Sequence, residues 1–129
     1  MIDVVGFRYC RLGTANLEET VKFATEMIGL EVVGRENGFV YMRGDDRDHN
    51  ICYFDGDPMD HTLGLELAGF DELAGAESAL SAAGLDVYRG TEEEAAARRC
   101  MGYINFKDPS GNSIDLTVRP FAAGRRYFP

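Results

Sequence analysis

Asp115 is the residue of this 129-residue chain whose pattern points most directly at chemistry. Around it, Ser113, Asp115 and Thr117 fall on one face of a strand and Ile114, Leu116 and Val118 on the other. A carboxylate on a polar strand face can hold a cation, ligate a metal or move a proton when partners converge on it. Few partners exist. The chain has two histidines, His49 and His61, and three cysteines, Cys10, Cys52 and Cys100. His49 closes the polar turn Asp45-Asp46-Arg47-Asp48-His49 and is expected to be solvated. His61 alternates with Leu63, Leu65 and Leu67, a row facing a helix, while Thr62, Gly64 and Glu66 take the opposite side. A one-residue slip would bury Glu66 against that helix. The odd cysteine count, without metal-site spacing, fits reduced thiols in a reducing compartment. Cys52 reads as a small buried apolar residue, since no cationic neighbour is evident to lower its pKa. No Ser-His-Asp or Cys-His pairing assembles.

A hairpin positions Asp115. In Asp108-Pro109-Ser110-Gly111-Asn112, proline presets a backbone angle, glycine accepts positive φ, and Asp and Asn bond the backbone locally. The β-favouring runs Tyr103 to Phe106 and Ile114 to Val118 flank that turn. No helix follows Gly111, so the turn is structural and not a phosphate cradle. Upstream, Phe7 to Leu12 predicts a first strand. Asn16 caps a helix with the stripe Leu17, Val21, Ala24 and Ile28; Glu19 sits where a capping box wants it, and Gly29 is the stop. Leu30 to Val33, the Asn37-Gly38 turn and Phe39 to Met42 form a hairpin. Gly44 to His49 is a polar turn and Asn50 to Phe54 a fourth strand. The linker Asp55-Gly56-Asp57-Pro58 leads to a second set. Its parts are a strand over His61 to Leu67, a helix over Phe70 to Ala83 with Leu73, Ala76, Leu80 and Ala83 inward, and a strand over Leu85 to Tyr88. Thr91-Glu92-Glu93-Glu94 then opens a short inserted helix that Arg98 and Arg99 close, as a helix dipole prefers.

The two sets repeat one another. Asn16-Leu17-Glu18-Glu19 matches Gly69-Phe70-Asp71-Glu72, and Ile28-Gly29-Leu30-Glu31-Val32 matches Ala83-Gly84-Leu85-Asp86-Val87. Gly38-Phe39-Val40-Tyr41-Met42 matches Gly102-Tyr103-Ile104-Asn105-Phe106. The expected class is α+β: two βαβββ repeats, about 5–55 and 60–118, with a tail over 119–129. They would form one module in which a curved mixed sheet surrounds a cleft and the helices lie outside. A small ligand would sit in that cleft. Tyr9, Tyr41 and Tyr103 either line it or pack with their hydroxyls at its rim.

A hydrophobic content of 45% with 27% charged residues suits a soluble globular domain. No apolar run approaches a membrane span and no basic-then-apolar signal opens the chain, so no membrane partner and a cytoplasmic location are expected. The formal net charge of −9 argues against nucleic acid and permits a cationic ligand. Arg119, Arg125 and Arg126 with Phe121, Tyr127 and Phe128 make a tail expected to pack on the module or a partner chain.

From Phe7 to Val118 the chain resembles a vicinal oxygen chelate module, the fold of glyoxalase I, bleomycin-resistance proteins and extradiol dioxygenases. Asn16-Leu17-Glu18-Glu19 with Ile28-Gly29-Leu30, and Phe106-Lys107-Asp108-Pro109-Ser110-Gly111-Asn112, carry the resemblance. Ala97-Arg98-Arg99-Cys100-Met101-Gly102-Tyr103-Ile104, running into that turn, is most similar to the N-terminal domain of two-domain extradiol, catechol-type dioxygenases. The resemblance implies a domain that keeps the fold without the metal, iron or manganese being held by the C-terminal domain. Arg119 to Pro129 resembles the start of the connector between them. The family draws metal ligands from the first and last strand of each repeat, which by register implies Tyr9, Cys52, Thr62 and Asp115 here. Only Asp115 matches, as the family's carboxylate. A non-haem iron centre wants two imidazoles and a carboxylate, and phenol, thiol and hydroxyl partners make a poor site even for zinc.

The resemblance thus implies a ligand-binding side formed by Tyr9, Tyr41, Cys52, Thr62, Glu66, Tyr103 and Asp115. It implies no resident cofactor; Asp115 and His61 are the residual metal candidates, and Fe(II) or Mn(II) the ion if one is held. Three readings of function follow as expectations. One is a ring-cleavage-related accessory module binding a small aromatic compound. Another is a bleomycin-resistance-type protein that sequesters an aromatic or cationic compound without chemistry. The last, a divalent-metal lyase or isomerase, needs His61 as a ligand. Single modules of this fold pair, so a homodimer or pairing with a second module is expected.

Overall fold

A computed structural model describes residues 1–122 of the chain; Arg125, Arg126, Tyr127 and Phe128 of the expected tail lie outside the described residues. Two compact units emerge, one built on Tyr9–His61 and one on Met1–Arg8 with Thr62–Phe121.

β1 (Gly6–Thr14), which belongs to the first unit from Tyr9 onward, leads into α1 (Leu17–Phe23). Asn16 starts the helix as its spacing predicts, its side chain accepting from the Glu19 N–H at 3.2 Å. The expected run to Ile28 is not purely α-helical. From Ala24 to Ile28 it is a π-helical turn, and the Thr25 hydroxyl bonds back to the Val21 carbonyl at 3.1 Å. The wider turn breaks the phase of the stripe. Val21 and Ala24 pack with Val40 and Met42, whereas Ile28, expected inward, is 60% exposed. β2 (Glu31–Glu36) and β3 (Phe39–Arg43) turn through Asn37 and Gly38, whose φ values of 52° and 84° are the two positive angles a type I′ hairpin requires. β4 (Ile51–Asp55) then pairs antiparallel with β3 and parallel with β1.

The second unit runs β5 (His61–Glu66), α2 (Phe70–Ala82), β6 (Tyr88–Arg89), α3 (Glu92–Ala97), β7 (Cys100–Lys107) and β8 (Ser113–Pro120). Its core joins Leu67, Leu73, Ala76, Ile104, Leu116 and Val118, so one face of β7 and β8 packs under α2 as their alternation dictates. Leu67 belongs to that core and Leu65 to its margin, but Leu63 and His61 at the strand's start are exposed. The strand expected over Leu85 to Tyr88 shrinks to two residues. The Leu85 N–H bonds back to the Leu80 carbonyl at 3.1 Å and so belongs to the helix exit, and Ala83 is exposed. α3 begins with a complete capping box between Thr91 and Glu94. In the 108–112 turn the Asp108 side chain accepts from the N–H groups of Ser110 and Asn112, both at 2.9 Å. Hydrogen bonds from Asn112, side chain first and backbone second, hold that carboxyl below its usual range.

Each unit therefore has a βαβββ-like order, with α3 inserted in the second. The curved sheet expected to surround a cleft needs correction. Within the first unit the strands are ordered β2-β3-β4-β1 and within the second β5-β8-β7-β6, each a mixed set with open edges that is not curled closed. The edges at β2 and β6 explain why. β6 has only two residues to offer a ladder, and β2 carries Glu31, Arg35 and Glu36, charges that discourage a further strand. Among the described residues, no helix is long and apolar enough to cross a membrane.

Gly13 is the tightest backbone approach in the first unit. A Cβ there would stand 2.2 Å from the Asp57 carbonyl oxygen, and the Gly13 N–H donates to the Asp60 carbonyl at 2.9 Å. A main-chain oxygen cannot swing aside, so Gly13→Ala is expected to destabilise the protein by about 1–3 kcal/mol, read as a lower urea midpoint. Gly75, inside α2 with open space where a Cβ would go, is the control. Gly75→Ala should raise stability by about 0.5–1 kcal/mol.

Candidate functional site

β8 sets Asp115 opposite Asn105 of β7, with Thr117 opposite Tyr103 as the next pair. These residues lie on the face away from α2, because Ile104, Leu116 and Val118 occupy the other. Asp115 is 0% exposed. Its Oδ2 accepts from Arg98 Nε at 2.7 Å and its Oδ1 from Asn105 Nδ2 at 2.9 Å. The same guanidinium covers the Tyr103 ring, with Cζ 4.0 Å from the centroid, and Nη1 donates to the Glu94 carbonyl at 3.4 Å. Asn105 Nδ2 also reaches Ser113 Oγ at 2.9 Å, which accepts from Thr62 Oγ1 at 2.9 Å. Thr62, Ser113, Asn105, Asp115 and Arg98 thus form one hydrogen-bonded chain. Glu66 stands apart, paired with Arg8 at 3.6 Å.

Burial governs the titration of this face. It pushes the Tyr103 phenol up to about 12 and the Cys100 thiol up to about 11, while the nearby Arg98 charge pulls both the other way. Sequence reasoning did not place Arg98 at the site, reading it as a complement to the α3 dipole and as part of the motif leading into β7. The usable signal was electrostatic: an acid on a strand flanked by core residues needs a cation within reach, and Arg98-Arg99 lies at the entrance to the paired strand.

In the Tyr9–His61 unit, Tyr9 and Tyr41 come together around His49. That histidine, expected in solvent, is 2% exposed. It stacks on Tyr9, with centroids 5.4 Å apart at 12°, and meets Tyr41 edge-on at 5.1 Å and 83°. The turn folds inward because the Gly44 N–H bonds Asn50 Oδ1 at 2.8 Å and the Asn50 N–H bonds the Met42 carbonyl at 2.9 Å. His49 Nδ1 lies 3.2 Å from Asp48 Oδ2. Cys52 is buried and sits in sheet register between Arg11 and Tyr41, a cationic neighbour that the sequence alone did not reveal. Arg43 is buried too, with Nε 3.4 Å from Glu31 Oε2 and Nη1 donating to the Arg47 carbonyl at 3.4 Å.

The four register positions divide between the units, Tyr9 and Cys52 in one and Thr62 and Asp115 in the other. Among the described residues, no group of three or more His, Cys, Asp or Glu side chains could hold a metal ion. The oxygens of Asp115 already serve Arg98 and Asn105, and Tyr9 packs against His49. This donor set does not fit a mononuclear iron or manganese centre.

The family and the fold agree with comparison to known proteins. A family model for the Glyoxalase/Bleomycin resistance protein/Dioxygenase superfamily matches residues 6–116, and the chain belongs to that superfamily. It is 31% identical to biphenyl-2,3-diol 1,2-dioxygenase of Sphingomonas paucimobilis over 99% of this chain and 46% of the relative. It is 30% identical to an iron-dependent extradiol dioxygenase of Rhodococcus jostii (strain RHA1) over 88% of this chain and 39% of the relative. A crystal structure of catechol 2,3-dioxygenase aligns with a TM-score of 0.88 at 28% identity, over 98% of this chain and 46% of that one. The chain is therefore structurally close to extradiol dioxygenases and spans less than half the length of the relatives it matches.

Cys100 supplies a test of the burial. Its thiol ordinarily titrates at 9.0 and is raised to about 11 in the folded chain. As pH rises through that window the unfolded chain releases a proton that the folded chain keeps, so stability present below it is lost. Denaturant midpoints should fall through the window more steeply in the wild-type protein than in Cys100→Ala. At about pH 8 the native Cys100 should resist a thiol reagent, with half-buried Cys10 reacting ahead of it.

Proposed function

We propose that this chain is an extradiol-dioxygenase-like module that binds a small aromatic compound without a complete metal site of its own. It works beside a catalytic domain or subunit that supplies the metal. The commitment of Asp115 to Arg98 and Asn105 carries this reading, because it removes the one carboxylate that the metal positions offer. The relatives support the ligand class, being named for biphenyl-2,3-diol and catechol. Tyr9, Tyr41, Cys52, Thr62, Glu66, Tyr103 and Asp115 are proposed as the ligand-binding side of one module, which works as a homodimer or with a second module. A cytoplasmic location is supported by three free cysteines. The net charge of −9 favours a second reading, sequestration of an organic cation in the manner of bleomycin-resistance proteins. The lyase or isomerase reading needs His61 in a ligand set, and His61 is exposed at the start of β5.

Purified protein reconstituted anaerobically with Fe(II) or Mn(II) is expected to retain substoichiometric metal and to leave catechols uncleaved. Ring cleavage accompanied by one bound metal per chain would refute the accessory reading. Melting curves separate the other two. Biphenyl-2,3-diol at 100 times its Kd should stabilise the fold by about 2.7 kcal/mol while a quaternary ammonium compound leaves it unchanged. The opposite pattern would establish sequestration.

A further inference from the structure

We propose that the Asp115 carboxylate, the Tyr103 ring and the Glu94 carbonyl form a guanidinium receptacle, filled in cis by Arg98, whose occupancy seats α3 over the polar face of β7 and β8. The three walls ask for one shape of cation. Nε donates to the carboxylate at 2.7 Å and Nη1 to the carbonyl at 3.4 Å, while Cζ lies over the ring, 4.0 Å from its centroid. A planar ion with donors around its rim meets all three walls at once. A spherical ammonium or divalent ion can satisfy the carboxylate but gives up the combined carbonyl and ring contacts.

The chain is arranged for this occupant. α3 has six residues, too few to persist as a helix by itself in water. Ala95 packs with Cys100 and Tyr103 beneath it, and Arg99, with φ 58°, redirects the chain into β7 directly after Arg98. At the other end a Cβ on Gly90 would stand 2.0 Å from the Tyr103 ring, so the entry strand is pressed onto the same ring that the guanidinium covers. Arg98 is a positioning residue, and the segment it seats is the one inserted into the second repeat.

This inference rests on the metal-free reading, and the two can fail separately. Arg98→Ala should lower Tm by roughly 10 °C and speed amide exchange across Glu92–Ala97. Millimolar ethylguanidinium should restore both saturably, with no such effect on the wild-type protein or on Arg98→Ala/Asp115→Asn. Ethylammonium and Mn(II) should restore less. Arg98→Lys keeps the charge without the plane, so a folded protein with faster α3 exchange and a smaller loss of Tm is expected even where Arg98→Ala does not fold. Wild-type exchange in either single variant, rescue that survives Asp115→Asn, or equal rescue by ethylammonium or Mn(II) would each overturn the receptacle. Stoichiometric metal in the wild-type protein would sink the metal-free reading while leaving the Arg98→Lys outcome to decide the receptacle.

Discussion

A carboxylate taken fully out of water costs several kcal/mol unless a cation and hydrogen bonds meet it. Asp115 is such a group, and the second unit is arranged to meet it. The cation comes from Arg98 and the neutral donor from Asn105, its sheet partner. Delivering Arg98 requires a segment that leaves the sheet and returns, and α3 is that segment. Its capping box fixes the start, and the left-handed Arg99 fixes the return into β7. The Tyr103 ring under the guanidinium contributes on the order of 1–2 kcal/mol where water is excluded, and its raised phenol reports that exclusion. A single buried acid thereby accounts for an insertion that the first repeat lacks.

The first repeat covers its own non-helical sheet face by different chemistry. There the 44–50 turn folds back and puts an imidazole between two phenol rings, so aromatic packing replaces the ion pair. The two solutions use different places in the repeat: the 44–50 turn follows β3 (Phe39–Arg43), whereas α3 precedes β7 (Cys100–Lys107), the strand that β3 matches. Duplication preserves the helix, the strands and the apolar core rows because period-2 and helical patterning specify them. The opposite faces are free to diverge, because any well-packed or well-paired cover satisfies the sheet.

That difference also explains what could be read from the sequence. The Asn37-Gly38 hairpin, the Asp108–Asn112 turn, the alternation at Asp115 and the Asn16 and Thr91 caps are local rules, and the structure follows them. The burial of His49 and the Arg98–Asp115 pair are tertiary facts. A run of five polar residues predicts solvent by composition, yet two hydrogen bonds from Asn50 and Gly44 turn its last residue inward. The shortness of β6 was hidden for another reason: the strand expected over Leu85 to Tyr88 starts late, since the Leu85 N–H bonds the Leu80 carbonyl at the exit of α2.

The same electrostatics sets how strongly this half of the fold resists a metal. A divalent ion arriving at Asp115 does not find a free carboxylate. It must displace Arg98 and strand that guanidinium against a ring and a carbonyl, forfeiting about 3–5 kcal/mol for a broken buried pair. Such a penalty lowers affinity by roughly two to three and a half decades. The hydroxyls of Thr62 and Ser113 and the amide of Asn105 cannot recover it, because they already satisfy one another and carry no charge. The resistance of this face to a metal therefore lies in the Arg98 cation as much as in the lack of imidazoles around Asp115, and adding imidazoles alone would leave Arg98 in the way.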